Sequence, residues 1–237
     1  MHLLTFLACV HSTPLSELTT STIPLYRTSE EGTRLYVEVE LATTGKQYFM
    51  IDTGASISVL RSDIAAEMNL PVKRKNGYLQ GMSGTTPWME VVVEELRIGK
   101  HSIDDVEFAV NVDGVPKQAG LVPLAGIIGN NVWQHFVLDL DYGKETLRLY
   151  DEYAMPEDSQ QITFNGQHVL AEARLWYEDN KVQTLMTNID TGSSGLLINA
   201  NDAPQLMADA RQSIDAIIGV GAASANRNNY VQTTYQQ

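Results

Sequence analysis

Two aspartates stand in near-identical settings: Ile51-Asp52-Thr53-Gly54-Ala55-Ser56 and Ile189-Asp190-Thr191-Gly192-Ser193-Ser194. They lie 190 − 52 = 138 residues apart in a chain of 237. A given tripeptide recurs by chance in a chain this long only a few per cent of the time at roughly average composition. The setting suits a working carboxylate. A strand leads the aspartate out of the core, the glycine lets the backbone turn tightly against a partner loop, and small polar side chains can hydrogen-bond the carboxylate oxygens. Two such loops meeting across a pseudo-two-fold axis bring their carboxyls to ~3 Å, where both cannot ionise, so the pair shares a proton and its two pKa values split. The ionised member then serves as general base for a water, and the protonated member polarises a carbonyl and protonates the leaving amine. This chemistry needs no metal, cofactor or nucleophilic side chain.

The elements that must position these loops repeat with them. At the same offset Ser56 falls on Ser194, Val59 and Leu60 on Leu197 and Ile198, Gly81 on Gly219, and Val92 and Val93 on Tyr230 and Val231, with no gap over some forty positions. A helix over Ser62–Met68, with Ser62 as its N-cap, falls on Asp202–Met207. From Ile23 onward the text is mostly short strands: alternating Leu35–Leu41, a turn at Thr44-Gly45-Lys46, Gln47–Ile51, Val59-Leu60, Val91–Ile98, Val106–Val112, and the hairpin Phe136–Tyr142 with Thr146–Tyr150. After a polar, acidic stretch the pattern restarts with Val169–Trp176 and Val182–Ile189. Many short strands with turns between them mean an all-β chain with short helices, a barrel or sandwich in each unit. The expected division is 1–22 signal and flexible tether, 23–152 first lobe, 153–161 linker, and 162–237 second lobe.

Composition removes other classes. Sixteen basic against 29 acidic residues leave a net charge of −13, too acidic for a phosphate-neutralising nucleic-acid binder or a polybasic membrane surface. At 43% apolar and 19% charged, the chain is globular rather than disordered. One cysteine, Cys9, excludes an internal disulfide framework and a Cys-rich zinc site, and the five histidines (His2, His11, His101, His135, His168) never fall at helical ligand spacing. Gly126–Gly129 lacks the Lys-Ser/Thr of a phosphate loop. Leu3–Val10 is too short to span a bilayer and reads as the end of a secretory signal. Phe6-Leu7-Ala8-Cys9 loosely resembles a bacterial lipobox, which would make Cys9 a lipidated membrane tether; the alternative is a plain cleaved signal or a disordered tail. The expected location is extracytoplasmic: periplasmic, secreted or lipid-anchored.

With both Asp-Thr-Gly loops and their matching hairpin in view, the chain resembles the retropepsin-like aspartic peptidases, and among them bacterial proteins with tandem retropepsin-like units. The resemblance implies acid-protease β-barrel lobes, the second incomplete, and an aspartic endopeptidase acting on polypeptide. Asp52 and Asp190 are then the catalytic pair, within one chain or as Asp52 with its mate in a homodimer. Thr53, Gly54 and Ser56, with Thr191, Gly192 and Ser194, complete the loops. Ile127, Ile128 and Gly129 resemble the segment that threads behind the catalytic loop, and Gly81-Met82-Ser83-Gly84 resembles the flap over bound peptide, although an ordinary hairpin reads the same. Tyr78 and Trp88 are read as packing residues first and flap aromatics second. The offset predicts the second supporting segment at 265–267, past Gln237, so the chain reads as a C-terminally truncated fragment or a shortened lobe. The reading from another class is a non-catalytic peptide-binding or regulatory module, holding an extended peptide as an added strand without cutting it.

Overall fold

The structure is a computed structural model, and it describes residues 22–28, 32–81, 84–110, 115–150, 162–176, 182–193, 197–199 and 230–232. Strands dominate, as the alternation predicts. In chain order they are β1 (Ile23–Tyr26), β2 (Tyr36–Leu41), β3 (Gly45–Ile51), β4 (Ser58–Leu60), β5 (Val72–Gly81), β6 (Gly84–Ile98), β7 (His101–Val110), β8 (Gln118–Ala119), β9 (Val122–Ile128), β10 (Val137–Asp141), β11 (Thr146–Tyr150), β12 (Thr163–Phe164), β13 (Val169–Trp176), β14 (Val182–Asn188), β15 (Leu197–Asn199) and β16 (Tyr230–Gln232). Two short helices interrupt them, α1 (Ser62–Glu67) and α2 (Asn130–Trp133).

The first eleven strands make one sheet that closes on itself. Its path runs β10-β11-β1-β2-β3-β9-β4-β7-β6-β5, and a further pairing of β2 with β6 (Glu40 with Arg97, Leu41 with Leu96) seals β2-β3-β9-β4-β7-β6 into a barrel. In β2, Val37, Val39 and Leu41 point into the core while Glu40 faces out, the alternation of a half-buried strand. β9 reads instead as a continuous apolar run, because it is central: parallel to β3 on one side, antiparallel to β4 on the other. Phe49, Ile51, Leu60, Phe108, Ile128 and Trp133 fill the interior.

Trp133 is fully buried, and its indole Nε1 donates to the Ile128 carbonyl at 2.8 Å. That carbonyl also accepts the Asp52 amide at 3.0 Å, so one backbone oxygen ties α2 to the first aspartate. Trp133→Ala is expected to cost about 3–5 kcal/mol, read as a lower denaturant midpoint at unchanged slope.

Residues 162–199 and 230–232 are organised differently from the barrel. β12-β13-β14 form a three-stranded antiparallel sheet that repeats the order β1-β2-β3. The bond from Ile51 N to Leu35 O has its counterpart in Ile189 N to Val169 O. Thirty-five to 51 spans 16 residues and 169 to 189 spans 20, so the second hairpin is four longer. Beyond this the correspondence weakens. β15 pairs directly with β16, whereas their counterparts by offset, β4 and β6, have β7 between them. Among the described residues the second unit forms no barrel.

Two local expectations are corrected. Ser62 is the first residue of α1, not its cap; Arg61 takes the cap position in an extended conformation with no side-chain cap bond, its guanidinium pairing with Asp63 and donating to Leu124 O of β9. The first turn lies at 42–44, and Gly45, at φ +69, opens β3 rather than sitting mid-turn. Cys9, the tether and the 153–161 linker lie outside the described residues, as do Gly219 and the helix expected at Asp202–Met207. No helix among the described residues is long and apolar enough to cross a membrane.

Candidate active site

Asp52 follows β3 directly, and Asp190 follows β14 by one residue. Each carboxylate is held by its own loop in the same way. Asp52 Oδ1 accepts the amides of Gly54 (2.9 Å) and Ala55 (3.1 Å). Asp190 Oδ1 accepts those of Gly192 (2.8 Å) and Ser193 (3.0 Å). Backbone amides therefore fix the carboxylate directions, where small polar side chains were expected to. The threonines do something else: they cross. Thr53 Oγ1 donates to Ile189 O at 2.6 Å and accepts the Thr191 amide at 3.1 Å. Thr191 Oγ1 donates to Ile51 O at 2.9 Å and accepts the Thr53 amide at 3.1 Å. Four reciprocal bonds thus join two loops 138 residues apart, and Thr53 is completely buried among them.

This crossing sets the carboxyls against each other. A Cβ added to Gly54 would stand 2.4 Å from Asp190 Cγ, and one added to Gly192 would stand 2.4 Å from Asp52 Cγ. Only a residue without a side chain fits either place. Burial raises the Asp52 pKa, and the neighbouring Asp190 adds its charge and a hydrogen bond; the Gly54 and Ala55 amides pull the other way, and the result is a carboxyl pushed up to about 7.

Behind the Asp52 loop, Ile128 pairs with Ile51 and Ile127 with Val59, so the Ile127-Ile128-Gly129 segment runs between β3 and β4. A Cβ at Gly129 would lie 2.8 Å from Ala55 O, so the segment needs glycine to come this close. Its amide donates to Ser58 Oγ at 3.0 Å, and that hydroxyl donates to Asn131 Oδ1 at 2.8 Å. Ser58, a buried residue unsingled by the repeat, does the supporting work; Ser56 is half-buried and holds neither carboxylate. Ser194 lies outside the described residues.

Three further residues meet this site that sequence spacing did not bring out. Asn130 and Arg34 bond across it, and Tyr142 lies close enough to Asp190 to feel its charge. Burial first, and Asp190 second, hold the Tyr142 phenol above its usual range. The Arg27 guanidinium donates to Tyr142 O at 2.7 Å and to Glu145 at 2.8 Å, clipping the β10–β11 turn toward the site. No sequence signal marks a tyrosine in an ordinary hairpin turn.

β5 and β6 form the long hairpin expected at Gly81–Gly84, with those two glycines paired at its end. Met82 and Ser83 lie outside the described residues. Trp88 packs as expected: its indole covers Gly77, where a Cβ would meet Nε1 at 2.2 Å. Tyr78 does not; it is 77% exposed, opposite Pro87. His135 is exposed and His168 half-buried, and among the described residues no group of three His, Cys, Asp or Glu side chains could hold a metal ion.

Residues 37–132 match the family model described as aspartyl protease. Among solved structures, that of a retropepsin-like aspartic protease from Rickettsia conorii is similar at 22% sequence identity and a TM-score of 0.39, over 55% of this chain and 90% of the other. No curated protein matches the sequence.

Proposed function

From the match of residues 37–132 to the aspartyl protease family model, we propose that this chain is an endopeptidase whose working pair is Asp52 with Asp190, both supplied by one molecule. The observation that carries this reading is the reciprocal Thr53–Thr191 crossing, which seats each carboxyl against the glycine of the opposite loop.

The proposed chemistry follows from one shared proton. With Asp52 pushed up to about 7, one carboxyl of the pair stays protonated in mildly acidic solution while the other is ionised. The carboxylate takes a proton from a water as its oxygen attacks the peptide carbonyl carbon, and the protonated carboxyl gives its proton to the carbonyl oxygen. Collapse of the resulting gem-diol breaks the C–N bond, with a proton passing to the amine. Substrate enters as an extended strand beneath the β5–β6 hairpin, where main-chain hydrogen bonds hold it. The proposed setting is extracytoplasmic, from the N-terminal apolar run.

The sign of the pH dependence follows. Below about 7 the raised carboxyl keeps its proton, and activity falls as pH rises through that value. Cleavage of an unfolded protein between pH 3 and 8 is expected to show this loss toward pH 8, with one statine-type inhibitor per chain abolishing the activity. Half an inhibitor per chain would mean that Asp52 pairs with a second copy. Peptide binding without cleavage at any pH would instead favour a binding module.

A further inference from the structure

The hydrogen bonds around the two loops come in pairs that exchange when the loops are exchanged: the crossed threonines, the amides on each carboxylate, and Ile51 N–Leu35 O with Ile189 N–Val169 O. Two side-chain contacts between the units fall outside this scheme. Asn130 Nδ2 donates to Thr53 O and to Gln167 O, each at 2.7 Å. Arg34 Nε donates to Gly192 O at 2.8 Å. Both start in the barrel unit and end on the unit that carries Asp190. The matched Leu35 and Val169 bonds equate position 34 with 168, and there the chain has His168, whose buried Nδ1 has no hydrogen-bond partner among the described residues.

Asn130 is well placed to act as a spacer. It is completely buried, and its own amide is fixed by Ala55 O at 2.8 Å. One planar amide group then grips two backbone carbonyls 114 residues apart (167 − 53), one on the Asp52 loop and one just before β13. Arg34 grips the carbonyl of Gly192, the residue whose Cα faces the Asp52 carboxyl. The first contact sets where the second unit sits, and the second sets how closely its loop approaches.

We propose that Arg34 and Asn130 form a clamp, through which the barrel unit positions the Asp190 loop and so sets the spacing of the two carboxyls. Both are positioning residues, and their role rests on Asp52 and Asp190 acting as a pair. The clamp predicts that loosening either contact lets the carboxyls separate, so that the raised proton affinity of the pair relaxes downward. Among the described residues, Tyr142 feels the charge of Asp190 and of Arg27, and Arg34 bonds the Gly192 carbonyl beside the pair. Loss of the Arg34 charge by itself would push a nearby carboxyl up, so a downward shift in an Arg34 variant reads separation rather than lost charge.

The test is a carboxyl titration of the full chain with isotope-labelled aspartates, comparing wild type with Asp52→Asn, Asn130→Leu and Arg34→Met. In the wild type one carboxyl is expected to titrate near about 7 and to vanish in Asp52→Asn. In Asn130→Leu and Arg34→Met that titration is expected to fall by about one pH unit. A merely structural role would lower the melting temperature of these variants and leave the titration where it was, and that result overturns the clamp. Arg34 is half-buried outside the core, so Arg34→Met decides the matter if Asn130→Leu fails to fold. A wild type with no such carboxyl overturns the paired reading and the clamp with it; a wild-type titration near 7 that neither variant moves overturns the clamp alone.

Discussion

Asp52→Asn and Asp190→Asn are each expected to lower peptide cleavage by at least about 10³-fold, and the double variant to be no worse than either single one. Residues that act as a unit lose everything at the first removal. Activity retained in Asp190→Asn would sink the intramolecular pair and leave Asp52 working with a second copy. The Asp52 variant carries a second, opposite expectation. Its carboxyl is raised from 3.8 to about 7 in the folded chain, so the folded state holds a proton that the unfolded state has released. A raised acid contributes full stability below its unfolded pKa and loses it as pH climbs through the folded value. That loss develops progressively between about pH 4 and pH 7.5. Asp52→Asn removes the titrating group, so at pH 8 the inactive variant is expected to melt above the wild type, while below pH 4 this advantage disappears. Melting curves at both pH values check the sign. A variant less stable than wild type at pH 8 would mean that the carboxyl is not strained by its surroundings.

Gly192→Ala and Gly54→Ala are the second pair of large effects. The new methyl would stand 2.4 Å from the opposing Cγ, well inside van der Waals contact, and the obstruction is the carboxyl itself rather than the far end of a flexible chain. The loops must part. A displacement of about 1 Å in reacting groups costs about 10²-fold in rate, while overpacking of this kind costs about 1–3 kcal/mol in stability. Both variants are therefore expected to fold, with the barrel intact, and to cleave at about one hundredth of the wild-type rate or less. Circular dichroism beside a cleavage assay separates these outcomes. Unchanged cleavage in Gly192→Ala would mean that the working species has its two carboxyls farther apart than they stand here.

How much of this was legible in the residues depends on how local each signal was. The two Asp-Thr-Gly loops carry their own turn chemistry, and their common offset of 138 announces a pair before any fold is known. The strands that alternate cleanly, β2 and β13 among them, were readable for the same reason. Ile127-Ile128-Gly129 could be placed behind the first loop only through family resemblance, because its continuous apolar run has no period of its own. Asn130 and Arg34 were opaque. Each is a common residue type in an ordinary position, and its role appears only when other segments, 37 to 158 residues away, arrive within hydrogen-bond reach. The equal offset also overstated the likeness of the two units. It matched Val59 with Leu197 and Val92 with Tyr230, yet the strands carrying these residues take different neighbours, since pairing is decided by which other strands are present to compete for each edge.

The closing of the barrel within residues 22–150 also bears on when the carboxyl pair comes into being. A chain leaves the ribosome N-terminus first, at roughly 5–20 residues per second. Every strand of the barrel has been made by Tyr150, yet Asp190 follows 138 residues behind Asp52. The interval between the two aspartates is therefore about 7–30 s. Throughout it the nascent chain carries Asp52 without Asp190, and the crossed threonine bonds cannot form. The order of translation thus delays assembly of the pair until the barrel that frames it can already have folded.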